Sequence, residues 1–370
     1  MNTDLVKKIA DAVLYEGYML YPYRASAVKN RQRFNWGVLT PPSYSEAQNG
    51  TENWQTQTEV LVLSEETGEL DLKLRFLHLG ERAIFKFDED SEEFRPVQSM
   101  KIGDQIFQRW QEAFEREVSI SALLSEAGSL FVGGRNSKNF SFPANEATET
   151  LCDSEGKVIG KIVRQQKTIE GTIEFQTEEL THRSNVRDHK LFKLTVRVSN
   201  TISFDNAAEK TRDEALVHSL VSAHTALFVR NGEFISLLEP PDEFGEAVAN
   251  CKNIATYPIL VGENGEKNCF LSAPIILYDY PEIAPESAGD LFDGGEIDEI
   301  LTLRIMTMTD EEKREMQSVD ERAKKMLERT ENLSAEQLMK MHGVLRRPRA
   351  FGNEDFFDDK IGEKGEAANG

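Results

Sequence analysis

Two stretches carry residues whose types and spacing can do chemistry together. The first, YPYRASAVKNRQRFNWG at 21–37, interleaves Arg24, Lys29, Arg31 and Arg33 with Tyr21, Tyr23, Phe34 and Trp36. Cationic side chains beside aromatic rings can hold a phosphate, a carboxylate partner or single-stranded nucleic acid by charge plus stacking. Arg24, Lys29, Arg31, Arg33, Tyr23 and Trp36 are therefore the candidates for binding an anion or a partner. The same residues also make ordinary structural glue, with the cations paired to the chain's own carboxylates and the aromatics in the core. The second stretch, YDYPEIAPESAGDLFDGGEIDEI at 278–300, gathers acidic residues around Gly294 and Gly295. Hard divalent cations want several oxygens on a turning backbone, which makes Asp290, Asp293, Glu296 and Asp298 the metal candidates. Their spacing is not that of an EF-hand loop, and no histidine lies near. Acidic residues in the first turn of a helix beginning near Gly295 explain them equally, because they complement its dipole.

The remaining nucleophiles and ligands form no recognisable set. His218 and His224 are six apart on a predicted helix, which does not make the i, i+4 pair that one helix face needs, and His182 and His189 flank a predicted hairpin turn. Cys152, Cys251 and Cys269 lie far apart without the C-x-x-C spacing of zinc, iron–sulfur or thioredoxin-type chemistry, and they read as reduced, buried thiols. There is no G-x-S-x-G elbow, Walker loop, strand-borne G-x-G-x-x-G or H-E-x-x-H; Gly133-Gly134-Arg135 is a turn-like fragment. No cofactor is predicted. A carboxylate pair brought together only by the fold leaves no such signature.

The totals limit the partners. A formal charge of −21 over 370 residues repels the polyanions of nucleic acid and of anionic lipid surfaces, so the basic stretch stands out within an acidic chain. The 39% hydrophobic, 9% aromatic and 29% charged composition is that of a folded protein. Near the N-terminus, Lys7 and Lys8 precede an apolar run, but Asp11 and Glu16 interrupt it, and no window of about 18 uncharged apolar residues occurs. The expected location is the cytoplasm, without membrane insertion.

The elements that must position these residues follow from periodicity. Leu5, Ile9, Val13 and Leu14 predict a helix within 4–20, with Thr3 as N-cap and Pro22 as its stop; 34–42 reads as a short extended segment ended by two prolines. From 56 to 120 the runs at 58–64, 70–79 and 83–87 predict a meander of short strands, with turns at Gly68 and Gly80. Leu70, Leu72, Leu74 and Phe76 alternate with Asp71, Lys73 and Arg75, the mark of a strand with one wet face. Residues 157–180 and 189–200 predict three more strands. After Asp213 a helical run finishes as a strand, and further strands are expected at 234–238 and 270–278, with a helix over 242–250. From 310 to 341 the chain reads as helical, with Thr309 and Glu312 forming a capping box and Ser334 with Gln337 repeating the signal.

The expected fold is α+β: a β-rich, mostly antiparallel sheet body with helices concentrated toward the C-terminus. Its predicted domains are a body over 1–285, with room for a second subdomain from about 205, a helical region over 286–345 packed on it, and a disordered acidic tail over 346–370. Met306, Met308, Met316, Met326, Met339 and Met341 make the helical region either an adaptable docking surface or an ordinary helical core.

At YPYRASAVKNRQRFNWGVLTP and LSAPIILYDYPEIAPESAGDLFDGGEIDEILTLRIMTMTDEEKREM the chain resembles an uncharacterised protein family associated with gene clusters for uptake nickel–iron hydrogenases. DEALVHSLVSAHTALFV extends the likeness. The resemblance implies an accessory or assembly role near a hydrogenase and brings no catalytic residue with it. The expected function is therefore that of a non-enzymatic accessory protein acting through protein contacts, with a hydrogenase subunit or maturation factor as partner. The alternative is an enzyme acting on an anionic small molecule, or using a divalent cation at 290–299.

Overall fold

The computed structural model describes residues 3–20, 23–124, 136–180, 189–282, 291 and 298–341. In chain order, helices α1 (Thr3–Tyr15) and α2 (Pro42–Ala47) precede strand β1 (Gln55–Asp88). Then come β2 (Glu93–Val97), β3 (Ser99–Ile102), β4 (Gln105–Gln108), β5 (Trp110–Leu123), β6 (Asn136–Phe142), β7 (Asn145–Cys152), β8 (Val158–Gln166), β9 (Ile169–Leu180) and β10 (Lys190–Asn200). Helix α3 (Arg212–Leu216), β11 (Val221–Ile235), helix α4 (Gly245–Ala249), β12 (Tyr257–Leu260) and β13 (Cys269–Ala273) follow. Four helices close the described chain: α5 (Asp298–Met306), α6 (Asp310–Gln317), α7 (Glu321–Glu331) and α8 (Ala335–Met341).

Strand β1 is the spine of the molecule. A strand has only two edges, so two partners that pair with the same residues must lie on opposite sides of it. Residues 61–64 pair with both β10 and β11, 69–77 with β11 and β5, 80–82 with β5 and β8, and 84–86 with β8 and β2. Consequently β10, β5 and β2 succeed one another along one edge, and β11 and β8 along the other. β9 and β6 extend the sheet outward from β10, β13 and β12 from β11, and β7 from β8. All these pairings are antiparallel, and the 11-stranded sheet curls into a half-barrel. β3 and β4 form a separate hairpin. The expected antiparallel, β-rich α+β architecture is what the chain adopts.

The expected turns at Gly68 and Gly80 do not exist; β1 runs through both for 34 residues. Gly80 pairs with Glu112 on one side and Gln166 on the other. A Cβ there would lie 3.0 Å from the Phe114 ring and 3.2 Å from the Gln165 carbonyl oxygen. The glycine thus admits close neighbours inside a sheet. At Gly68 the register with β11 slips between Ser64 and Glu69, an irregularity after which the other edge passes from β10 to β5, whose pairing begins at Glu69. Gly80→Val is expected to lower stability by about 1–3 kcal/mol through overpacking, read as a lower urea midpoint. A variant as stable as the parent would mean that the sheet is loose at this point.

The alternation of β1 sends its side chains into two cores. Leu70, Leu72, Leu74 and Phe76 are buried with Leu194, Val196 and Val198 of β10, Ile173 and Phe175 of β9, and Leu227 and Val229 of β11. On the other face Leu61 packs with Ile235 and Phe244, the strand is more accessible from Glu69 to Lys73, and from Leu77 and Leu79 onward helices cover it. Leu14, Tyr15, Tyr18, Tyr23, Phe34, Leu291, Leu301, Ile305, Met316, Met326 and Leu327 share that second cluster, so N-terminal and C-terminal segments pack together on the sheet. The other side of α1, Val6, Ile9, Ala10 and Val13, covers Ala226, Ile259 and Leu271.

Local signals account for most helix ends. α1 ends at Tyr15, ahead of Gly17 with φ 75° and well short of Pro22. Pro41 and Pro42 open α2 as well as closing the extended segment, with Pro42 in the first turn where its missing N–H costs nothing. Both halves of the capping box form at Thr309 and Glu312, and Ser334 and Gln337 exchange the same pair of bonds. After Asp213 the helical run is shorter than expected. It stops at Leu216, leaving His218 in a turn and His224 on β11, so the two histidines do not share a helix. Leu39 and Leu220 exchange backbone hydrogen bonds that pull the chain out of the helix and start the strand. The expected strand at 234–238 is the end of β11, and that at 270–278 ends at Ala273, before Pro274.

Candidate functional site

The basic stretch is not one surface. Arg24 forms an ion pair with Glu312 of α6 (3.2 Å), and the Ser26 N–H donates to Glu315, so this part of the loop ties to the C-terminal helices. Lys29 is exposed, Tyr23 is fully buried and Trp36 is half exposed. Arg31 lies in a 3₁₀ turn, Val28–Gln32, with its side chain outside what the structure describes. Arg33 turns inward and is only 6% exposed.

The loop holds Arg33 by a set of fixed contacts. The Asn30 carboxamide accepts from the Leu20 N–H (2.6 Å) and donates to the carbonyls of Leu20 and Arg24 (2.9 Å each), closing the loop upon itself. Tyr23 and Phe34 both have positive φ, 61° and 56°, a conformation rarely adopted by bulky side chains and held here by burial. From α3, Arg212 donates to the Phe34 carbonyl (2.8 Å) and the Arg33 carbonyl (3.3 Å) while its Nε reaches Glu52 (3.0 Å).

The Arg33 guanidinium stacks 3.7 Å over the Trp110 ring, with the rings of Phe34 at 4.8 Å and Tyr18 at 5.7 Å. Its Nη1 donates to the Tyr18 carbonyl (3.2 Å) and its Nη2 to the Gln111 carbonyl (3.1 Å). Among the described residues no carboxylate lies within ion-pair distance of it. Burial pushes its pKa down to about 9, against the opposing pull of the Asp213 charge. Beside it opens a cavity of about 440 Å³. Arg33, Asn30, Trp110 and Leu216 form the buried part of the wall; Glu81, Gln98, Arg109, Gln111 and Asp213 are more accessible. Glu81 and Arg109 make an ion pair with each other at 3.7 Å.

Of the metal candidates, Asp290, Asp293 and Glu296 lie outside the described residues, and Asp298 opens α5 with Glu299 in its first turn. Among the described residues no group of three or more His, Cys, Asp or Glu side chains is placed to hold a metal ion. Leu291, from the same stretch, meets Phe34 and Tyr23 in the shared core.

The cysteines form no disulfide, and burial pushes the Cys251 thiol up to about 11 and that of Cys269 to about 12, so both are protonated near neutrality. His78 and His224 are buried, and desolvation lowers both to about 4; their ring nitrogens meet the carbonyls of Lys167 and Ser222 respectively. Neutral histidines facing carbonyls and protonated thiols are poorly set for nucleophilic chemistry. Among the described residues no helix is long and apolar enough to cross a membrane.

Of this cavity, the sequence pointed to Arg33. Trp110 begins an alternating strand, and Asp213 and Leu216 sit on a short helix. Nothing in their local pattern links them to the basic loop; only the packing of β5 and α3 against it does. No family model matches the chain, and no curated protein matches it.

Proposed function

We propose that the chain is a non-enzymatic accessory protein that works by docking a protein partner, for which the sequence resemblance names a hydrogenase subunit or maturation factor. The observation that carries this reading is the outer face of α5. Leu301, Thr302 and Ile305 are buried against the body, yet Ile300, Leu303 and Met306 on the opposite side are 48%, 49% and 40% exposed. A helix resting on a body normally turns polar residues outward, and one that is apolar all round is normally covered on both sides. Met339 of α8 adds a 71% exposed side chain in the same helical region, whereas Met308, Met316 and Met326 are core. Glu299, Glu311 and Glu336 sit in the first turns of α5, α6 and α8, whereas α7 is mixed in charge, so the partner that fits is an apolar segment.

The test is co-purification from cells that make the hydrogenase. The parent protein is expected to retain a hydrogenase subunit or maturation factor, and a folded Ile300→Asp/Leu303→Asp variant to lose it at least tenfold. Retention of none of these by the parent, with normal hydrogenase activity in a deletion strain, would overturn the hydrogenase context. Equal retention by the variant would remove α5 as the contact.

A further inference from the structure

The cavity beside Arg33 has a charge arrangement that its structural duties do not use up. A guanidinium carries five N–H donors, and among the described residues those of Arg33 meet two neutral carbonyls, with no carboxylate in ion-pair range. Cations buried to this degree are ordinarily paired. Trp110, 7% exposed and part of the same wall, carries its ring beneath the guanidinium. The guanidinium in the cavity wall therefore lacks the anionic acceptor that would complete it.

The rest of the wall selects among anions. Glu81 is engaged by Arg109, which among the described residues leaves Asp213 as the wall carboxylate without an ion-pair partner, near enough to act on the Arg33 charge but beyond direct contact. A doubly charged phosphate would meet Asp213 unfavourably. A ligand with a carboxylate at one end and an ammonium at the other matches both unpaired charges at once. Leu216 and the Trp110 ring offer an apolar wall for a side chain, and about 440 Å³ is in the range of small-molecule sites.

We propose that this cavity binds a free α-amino acid, its carboxylate on the Arg33 guanidinium, its ammonium toward Asp213. Carboxylate on guanidinium supplies a charge-assisted, forked contact, and the ammonium supplies the discrimination against plain anions. The assignment concerns a different surface from α5 and stands whether or not a partner docks there.

The test uses the full chain in calorimetry and thermal-shift titrations with the twenty free amino acids. The arms are the matching deaminated acids, the matching decarboxylated amines, and inorganic phosphate. At least one amino acid is expected to bind saturably and raise Tm with concentration, while its deaminated and decarboxylated analogues bind at least tenfold more weakly and phosphate does not compete. Asp213→Asn, an exposed substitution, and Asp213→Lys, which reverses the charge there, are each expected to weaken binding at least fivefold. Both keep the test open if an Arg33→Lys protein fails to fold. The proposal is overturned if no amino acid binds at 10 mM, if the deaminated acid or phosphate binds as well as the amino acid, or if both variants bind like the parent.

Discussion

Replacing Arg82 with alanine is expected to lower stability by about 3–5 kcal/mol, the range for breaking a buried charge pair from one side. Arg82 lies on β1 with its side chain 9% exposed, and three parts of the fold meet on its guanidinium. Nη1 donates to Glu112 of β5 (3.3 Å), Nε to the Gln108 carbonyl at the end of β4 (3.0 Å), and Nη2 to the carbonyl of Ser318, the C-cap of α6 (2.8 Å). Burial pulls its pKa down, and the Glu112 charge pulls the other way. The Gln108 carboxamide reinforces the link by donating to the Glu315 carbonyl (3.2 Å) and the Ser318 hydroxyl (2.6 Å), so the end of α6 is capped by side chains of the sheet. Without Arg82, Glu112 retains Arg164 alone among the described residues, and two carbonyls lose this donor; an unsatisfied buried group costs about 1–3 kcal/mol. Arg82→Met separates charge from volume, because it refills most of the space and leaves the same acceptors unmet. Urea unfolding should place both variants well below the parent. A methionine variant within about 1 kcal/mol of it would mean that water replaces the guanidinium at these carbonyls.

How much of this was legible depended on whether the cause was local. The alternation from Leu70 to Phe76 announced a strand because its inward residues are consecutive even positions, and Thr309 with Glu312 announced a helix start because the capping box closes within one turn. Gly80 misled for the opposite reason. Its role is to make room for Phe114 and Gln165 of neighbouring strands, and a glycine tolerated for space has the same letter as a glycine needed for a turn. The run after Asp213 carries both periods at once, and the choice was made by the bridge between Leu39 and Leu220, far apart in the chain. The site divides in the same way. Arg33 was visible as part of a basic, aromatic stretch, but that stretch separates in space into an ion pair at Arg24, an exposed Lys29 and a buried Arg33. Which cation turned inward depended on Trp110 and Gln111, residues of another strand.

Acid is expected to unfold this protein before its carboxylates titrate. His78 and His224, 0% and 2% exposed, have pKa values near 4 in the fold because burial disfavours their charged form, whereas in the unfolded chain a histidine titrates near about 6.5. Between those values the unfolded chain binds more protons than the folded one, so stability rises with pH. The contribution is complete above about 6.5, is lost as pH falls toward about 4, and changes no further below it. Each group can contribute about 3 kcal/mol over that interval, and the two together rival the whole stability of an ordinary domain. The charged neighbours push the same way: Arg116 and His218 disfavour a cation at His78, and Arg75 disfavours one at His224. His218 is itself lowered by burial and adds to the loss. Asp320 acts oppositely, because burial raises its pKa and protonating it favours the fold, but its effect falls lower, near the carboxylate range. The measurement is the urea midpoint at pH 7.5, 6.5, 5.5 and 4.5, expected to fall steadily. His224→Gln should be less stable than the parent at pH 7.5 yet lose less on acidification, since one of the two proton-linked groups is gone. A midpoint constant from pH 7.5 to 5 would mean that both rings titrate in the fold as they do in the unfolded chain, which needs acceptors for the added N–H; among the described residues His224 Nε2 has none.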